Sequence, residues 1–249
     1  MDRKPGFKII RYDSVTSTNE VLRELAEEGI EPGTVVTARV QHHGKGRMRR
    51  KWESPEGGLW MSVLLETETG FDQEKFGLLP LMAGSSVASA IIMEYDLDAG
   101  VKWPNDVLVN GRKACGILGE LLTVNGKKLA ILGIGVNINN SVKEGYDFSP
   151  MSTSIAEEFK KQVKIEVLEA TILEELNYGM ELLENKDYAK ILEDWRNLSE
   201  TLGRKVTVHA PNEKITGIAK DIDENGSLLL ETENGRTVKV IAGDCEHIE

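Results

Sequence analysis

Four Asn-Gly dipeptides constrain this chain more than any other feature: Asn110-Gly111, Asn125-Gly126, Asn225-Gly226 and Asn234-Gly235. Asn-Gly is the preferred pair for a two-residue hairpin, because both central residues of a type I′ turn need positive φ. Each pair separates short apolar runs, so each predicts two antiparallel strands joined by a tight turn. The first two link three strands, one ending at Val109 and the others spanning 113–122 and 129–136. The last two link strands over 215–222, 227–231 and 237–241, preceded by a strand over 205–209. Two ladders so far apart predict two units, a larger one over 1–197 and a small β barrel or sandwich over 198–249.

Elsewhere the apolar period shifts from 2 to 3.6. Phe76, Leu79, Ala83, Val87, Ile91 and Ile92 recur at helical spacing and predict a core helix over 73–94. A shorter helix over 20–28 has Ser17 and Glu20 at capping-box spacing, an apolar face of Val21, Leu22 and Leu25, and Gly29 at its end. Ser154 and Glu157 form a second such box before helices over 165–183 and 188–195. Strands over 34–40 and 59–66 are joined by the turn-rich 54–58, after a short apolar start at Ile9 to Tyr12. A further strand over 101–109 is interrupted by Pro104, which turns Asn105 and Asp106 out of the ladder. The outcome is an α+β fold: a mixed, largely antiparallel sheet with helices on one face and polar groups converging on the other.

One segment breaks the charge balance. Lys45, Arg47, Arg49, Arg50 and Lys51 crowd into a glycine-punctuated loop of a chain whose formal net charge is -11. Glycine lets backbone N–H groups approach a ligand closely, and arginine offers a donor fork matched to phosphate and carboxylate oxygens. The loop therefore reads as an anion cradle. Around it, Ser17, Thr18, Asn19, Gln41, Asn105, Asp106, Lys113 and Asn137 fall at strand ends or edges as candidate ligand contacts. Arg112 and Asn139 read as solvated turn residues.

Other chemistries are disfavoured. Cys115 and Cys245 are the only cysteines and, far apart in sequence, indicate packing rather than a disulfide framework. The four histidines lack zinc-site spacing, so no dedicated metal cluster is expected. Gly133-Ile134-Gly135 lacks the third glycine of a dinucleotide fingerprint, and neither Gly44-Lys45 nor Gly126-Lys127 continues into Ser or Thr as a P-loop does. The acidic balance argues against DNA as a partner. No apolar run approaches the roughly 20 residues of a membrane span, and no leader is visible, so no membrane contact and a cytoplasmic location are expected.

In order along the chain, Gly44 to Trp52, Ser54 to Gly57, Lys102 to Asp106, Lys113 to Leu118 and Gly135 to Asn137 resemble the signature of the biotin protein ligases. The resemblance covers most of the chain. It implies a core like that of class II aminoacyl-tRNA synthetases, followed by an SH3-like domain. It also implies an amide-forming ligase that activates biotin with ATP and Mg²⁺ to biotinyl-5′-AMP. The biotinyl group would then pass to a lysine of a biotin carboxyl carrier protein domain. A related family of lipoate-type acyl ligases shares this core, and a non-catalytic nucleic-acid regulator is the reading from another class.

Residue by residue, the resemblance assigns Ser17, Thr18, Asn19, Gln41, Lys45, Gly46, Arg47, Lys113 and Gly116 to biotin. It assigns Arg50, Trp52, Asn105, Asp106, Lys113 and Asn137 to ATP, with Mg²⁺ near Asn105 and Asp106. Lys113, Arg47 and Asp106 carry the catalysis, Asp106 by orienting the acceptor lysine. The resemblance further implies a homodimer, and the early start of the core implies that no DNA-binding domain precedes it. Two positions depart from the family pattern: Lys45 stands where arginine is usual, and Arg49 where glycine is frequent. Arg49 puts in question any local backbone that requires positive φ.

Overall fold

The computed structural model describes residues 6–66, 73–142, 152–210 and 213–248. The chain enters on β1 (Lys8–Val15), crosses through α1 (Thr18–Glu27) and returns on β2 (Thr34–Gln41), parallel to β1. This parallel pair has no local signature, because a crossover leaves no turn motif in the sequence. β3 (Leu59–Glu66) then runs antiparallel to β2. Leu59, Met61, Val63 and Leu65 face the main core, while Leu64 joins a smaller cluster beneath α1. Buried on both sides, β3 reads as a continuous apolar run rather than an alternating one.

A short 3₁₀ turn leads into α2 (Leu78–Tyr95), the helix at the centre of the main core. The helical stretch Lys75–Tyr95 has the length and a mean hydropathy of 1.8 that a membrane span requires, contrary to the sequence expectation. Its most apolar window is 67% buried inside the protein, as the core helix of a packed sheet should be.

β4 (Ala99–Lys102) and β5 (Asp106–Val109) correct the expectation of a single interrupted strand. The chain reverses at Trp103–Asn105 and the two halves pair antiparallel, Lys102 opposite Asp106. Proline with two polar residues makes a turn here rather than a gap in one strand. β6 (Arg112–Val124) and β7 (Lys127–Val136) complete the sheet, in the order β1-β2-β3-β7-β6-β5-β4. The hairpin turns are as expected, with Asn110 and Asn125 at φ 50, Gly111 at 74 and Gly126 at 82.

α3 (Ile155–Phe159) is a short helix opened by Ser154, whose Oγ accepts from Glu157 N. α4 (Ile165–Glu184) and α5 (Tyr188–Asn197) then pack with α2 on one face of the sheet. α1 packs on the other face, which corrects the expectation that all helices share one side. The cap of α1 also differs: Ser17 is its N-cap, but the side chain makes no capping bond. Arg112 and Asn139 are structural pins rather than solvated turn residues. Arg112 pairs with Glu157 and Glu158, and Asn139 exchanges two hydrogen bonds with the Val163 backbone.

The C-terminal sheet contains β8 (Lys205–His209), β9 (Lys214–Ile222), β10 (Leu228–Glu231), β11 (Thr237–Val240) and β12 (Asp244–His247), all antiparallel in the order β11-β10-β9-β8-β12. The fifth strand, β12, carries Asp-Cys-Glu-His and no apolar alternation to announce it. Trp103 locks this sheet to the main one. Its Nε1 donates to Gly226 O and its backbone N to Thr201 Oγ1, both at 3.0 Å.

Candidate active site

A cavity of about 680 Å³ opens on the α1 side of the main sheet. Every residue singled out for biotin or ATP from the sequence lines it. Its walls come from the start of α1, the basic loop, the β4–β5 turn and β12.

The floor is the pair Gly116 and Gly135, opposite each other on β6 and β7. A Cβ on Gly135 would stand 2.5 Å from Trp52 Nε1, and one on Gly116 2.9 Å from the same ring. Trp52 therefore lies flat on bare backbone, an approach that only glycine permits. Its Nε1 is buried without a hydrogen-bond partner. Lys113 Nζ sits 5.4 Å from the ring centre, within cation–π range.

At the β2–β3 end the cavity-lining groups Ser17, Thr18, Asn19 and Gln41 are uncharged and tightly linked. Gln41 Oε1 accepts from Thr18 N at 2.8 Å and Thr18 Oγ1 at 3.1 Å, while its Nε2 donates to Ser54 Oγ at 2.8 Å. Ser54 Oγ in turn donates to Trp52 O at 3.2 Å. Asn19 Nδ2 donates to Glu120 Oε2 at 2.7 Å, and Ser62 Oγ donates to Asn19 Oδ1 at 2.5 Å. Ser17, 2% exposed, completes this wall. Sequence reasoning missed Ser54 and Ser62. Ser62 carried a signal, as the one hydroxyl in the otherwise apolar face of β3.

At the β4–β6 end the groups are charged. Asp106 Oδ1 meets Lys113 Nζ at 2.7 Å, an ion pair without the alignment of a hydrogen bond. Lys113 reaches this face because of a β-bulge: Val107 pairs with Cys115, but Leu108 pairs with Lys113. Ala114 and Cys115 both turn into the core, and Lys113 is thereby rotated to the cavity. Burial raises the Cys115 thiol far above its ordinary value, consistent with a packing role. Cys245, also buried, is pushed up to about 12 for the same reason.

Arg47 Nη1 donates to Asn105 Oδ1 at 2.9 Å and its Nη2 to Gly243 O at 3.2 Å. Burial lowers its pKa and Asp106 opposes that shift, but a guanidinium stays charged. Asn105 Nδ2 donates to Ile117 O at 2.8 Å, so its amide positions Arg47 against the sheet. Asn137 Oδ1 accepts from Asn140 Nδ2 at 3.0 Å.

In the basic loop, Gly44 is required, since a Cβ would lie 2.4 Å from Trp52 O. Gly46 N donates to Arg50 O at 2.8 Å, closing the loop on itself. Lys45 pairs with Glu20, and Arg50 with Asp244. Met48 at φ 53 and Arg49 at φ 61 both adopt the left-handed conformation that the arginine had put in question. Lys102 and β12 residues Asp244 and Cys245 also line the cavity, and none was singled out as a site residue from the sequence.

Residues 12–139 match the biotin/lipoate A/B protein ligase family, and residues 201–248 the biotin protein ligase C terminal domain. The bifunctional ligase/repressor BirA of Bacillus spizizenii is 32% identical over 97% of this chain and 74% of its own length. The biotin–[acetyl-CoA-carboxylase] ligase of Mycobacterium tuberculosis is 31% identical over 93% of this chain and 86% of its own. Among solved structures, the Aquifex aeolicus biotin protein ligase in complex with biotin and ATP superposes with a TM-score of 0.83 at 28% identity, covering 97% of this chain and 99% of that one. With residues 12–139 and 201–248 both matched in this way and relatives above 30% identical over nearly the whole chain, the chain belongs to the biotin protein ligase family.

Proposed function

We propose that this cavity joins biotin to ATP as biotinyl-5′-AMP and passes the biotinyl group to a lysine of a biotin carboxyl carrier protein domain. One observation carries the reading: a single cavity has a neutral hydrogen-bonding end and a cationic end, separated by an apolar glycine–tryptophan floor. A ligand with a polar ring, an apolar chain and a carboxylate has the same order of groups.

In this reading Ser17, Thr18, Asn19 and Gln41 recognise the ureido ring. Their internal hydrogen bonds fix each amide, so a ligand lacking the matching groups would leave buried polar atoms unpaired. Gly116 and Trp52 enclose the apolar chain, and Trp52 also borders the adenine with Arg50. Lys45 and Gly46 present loop backbone to the ligand. Asn137 flanks the nucleotide.

The first step forms a bond from a biotin carboxylate oxygen to the α-phosphorus and breaks the bond to the pyrophosphate oxygen. Two anions must approach each other, and Lys113 and Arg47 offset their repulsion. Lys113 is already held at the meeting point by Asp106. In the second step the acceptor amine attacks the acyl carbon and AMP leaves with the bonding electrons. Before that attack Asp106, freed from Lys113, orients the incoming ammonium and accepts its proton, which leaves the amine its lone pair.

Mg²⁺ is proposed to accompany ATP. Magnesium commonly takes one or two protein carboxylates plus substrate phosphates, and Asp106 Oδ1, buried and without an aligned hydrogen bond, fits that use. The ion would neutralise phosphate charge there. On family resemblance alone, we further propose a cytoplasmic homodimer, residues 1–197 forming the catalytic unit and 198–249 its companion.

The test is ATP–pyrophosphate exchange with biotin or lipoate, followed by transfer of labelled biotin to a carrier domain. Exchange that depends on biotin and is lost in Lys113→Ala supports the reading. Exchange with lipoate alone would overturn it in favour of the acyl-ligase alternative.

A further inference from the structure

We infer that Lys102 binds the β- and γ-phosphates of ATP and stabilises the leaving pyrophosphate. The inference rests on the reading above and adds a residue to it. Lys102 ends β4, is 4% exposed and lines the cavity. Six cations line that cavity, and four have a carboxylate partner: Lys45 with Glu20, Arg50 with Asp244, Lys51 with Glu53, and Lys113 with Asp106. Arg47 has two neutral oxygen acceptors. Among the described residues Lys102 has neither.

A buried ammonium without an anion is costly, so its retention in a cavity wall calls for a partner that arrives from outside. Burial pushes Lys102 down from its ordinary value, with Asp106 opposing, so an arriving anion would favour its charged form.

Position selects the partner. Across the sheet the cavity groups fall in the order β3, β7, β6, β5, β4. Met61 lines the cavity on β3, Gly135 and Gly116 form the floor, and Asp106 on β5 and Lys102 on β4 continue the same row, while Lys113 on β6 lies opposite Leu108, two residues beyond Asp106. Lys113 and Lys102 are two strand spacings and two residues of register apart, roughly 12 Å at the backbone. If Lys113 takes the carboxylate and α-phosphate, the anion left for Lys102, farther toward the sheet edge, is the β,γ-diphosphate. During attack the Pα–O bond breaks and its electron pair stays on pyrophosphate. Lys102 remains protonated throughout and offsets the added charge.

Titration of inorganic pyrophosphate against the full-length protein tests this without biotin chemistry. Lys102→Met should weaken pyrophosphate binding and raise the ATP KM by roughly 10- to 100-fold, the range for a lost charge-assisted hydrogen bond. Lys102→Arg should recover part of the loss. Transfer from preformed biotinyl-adenylate should change by less than about threefold, because pyrophosphate has already left. Without ligand, Lys102→Met should melt no lower than the parent, since the variant removes an unpaired buried charge. If that variant is unstable, Lys102→Gln repeats the titration. Pyrophosphate binding unchanged in the variants, or a transfer step that falls in parallel with exchange, would overturn the inference. A wild-type protein that binds pyrophosphate but shows no biotin-dependent exchange would instead overturn the reading of the cavity.

Discussion

Lys45 Nζ lies 2.7 Å from Glu20 Oε1, so the basic loop is tied to the first turn of α1 by an ion pair. The Glu20 carboxylate is thus engaged by the loop, while Ser17 makes no capping bond with its side chain. Lys45, where the family pattern has arginine, holds a carboxylate of its own chain. The pair is about half exposed, so its strength is modest. Glu20→Gln should raise the biotin KM by about threefold with little change in kcat, and Lys45→Arg should behave as wild type. Steady-state kinetics check both; an unchanged KM in Glu20→Gln would remove the loop-positioning role.

Gly135→Ala places a methyl group where the Trp52 indole lies. The ring must move, taking the Lys113 contact with it. We expect kcat/KM to fall by at least about tenfold, as misplaced groups near the reacting centre cost that much or more. The emission spectrum should shift as well, because Trp60, Trp103 and Trp195 are each 1% exposed or less and Trp52 alone is free to report. Full activity with an unshifted spectrum would mean that Trp52 does not need the glycine floor.

Arg49 at φ 61 carries strain of about 1 kcal/mol that glycine would relieve. Arg49→Gly should therefore slow hydrogen exchange at the Gly46 and Arg50 amides, which close the loop, by about fivefold. Arg49→Val, with a branched side chain poorly suited to positive φ, should accelerate it. Equal rates in all three proteins would show that the strain is borne elsewhere.

His247 is held at about 4, below its ordinary 6.5, mainly by burial, with Lys102 and Arg204 adding repulsion. Its pKa is lowered on folding, so as pH falls the unfolded chain takes up the proton first. The stability this residue supports is complete above about pH 6.5 and erodes between there and about pH 4. His247→Gln, which can keep the contact to Thr201, should flatten the fall in Tm from pH 7 to pH 5. A variant with the wild-type slope would assign that pH dependence to other groups.

The hairpins were legible because Asn-Gly favours a tight turn locally, although only Asn110 and Asn125 adopt positive φ and at 225–226 and 234–235 the glycine alone does. So was the core helix, whose spacing is intrinsic to the helix itself. The α1 crossover, the reversal at Pro104 and the polar strand β12 were not, since each depends on which distant segment supplies the pairing partner.

The site divides in the same way. Sequence by itself determined the residue types, their order and the basic loop, and these were enough to indicate a ligand carrying a carboxylate or phosphate. Tertiary structure decided where each side chain points and which charges cancel. Lys113 reaches the cavity only through a one-residue bulge, because a strand's faces alternate and a slip of one reverses them. Lys102 and Lys113 both lie in segments that carry the family pattern, yet among the described residues Lys113 has an ion-pair partner and Lys102 has none. Coulomb energy depends on distance and burial, neither of which is written in the order of residues.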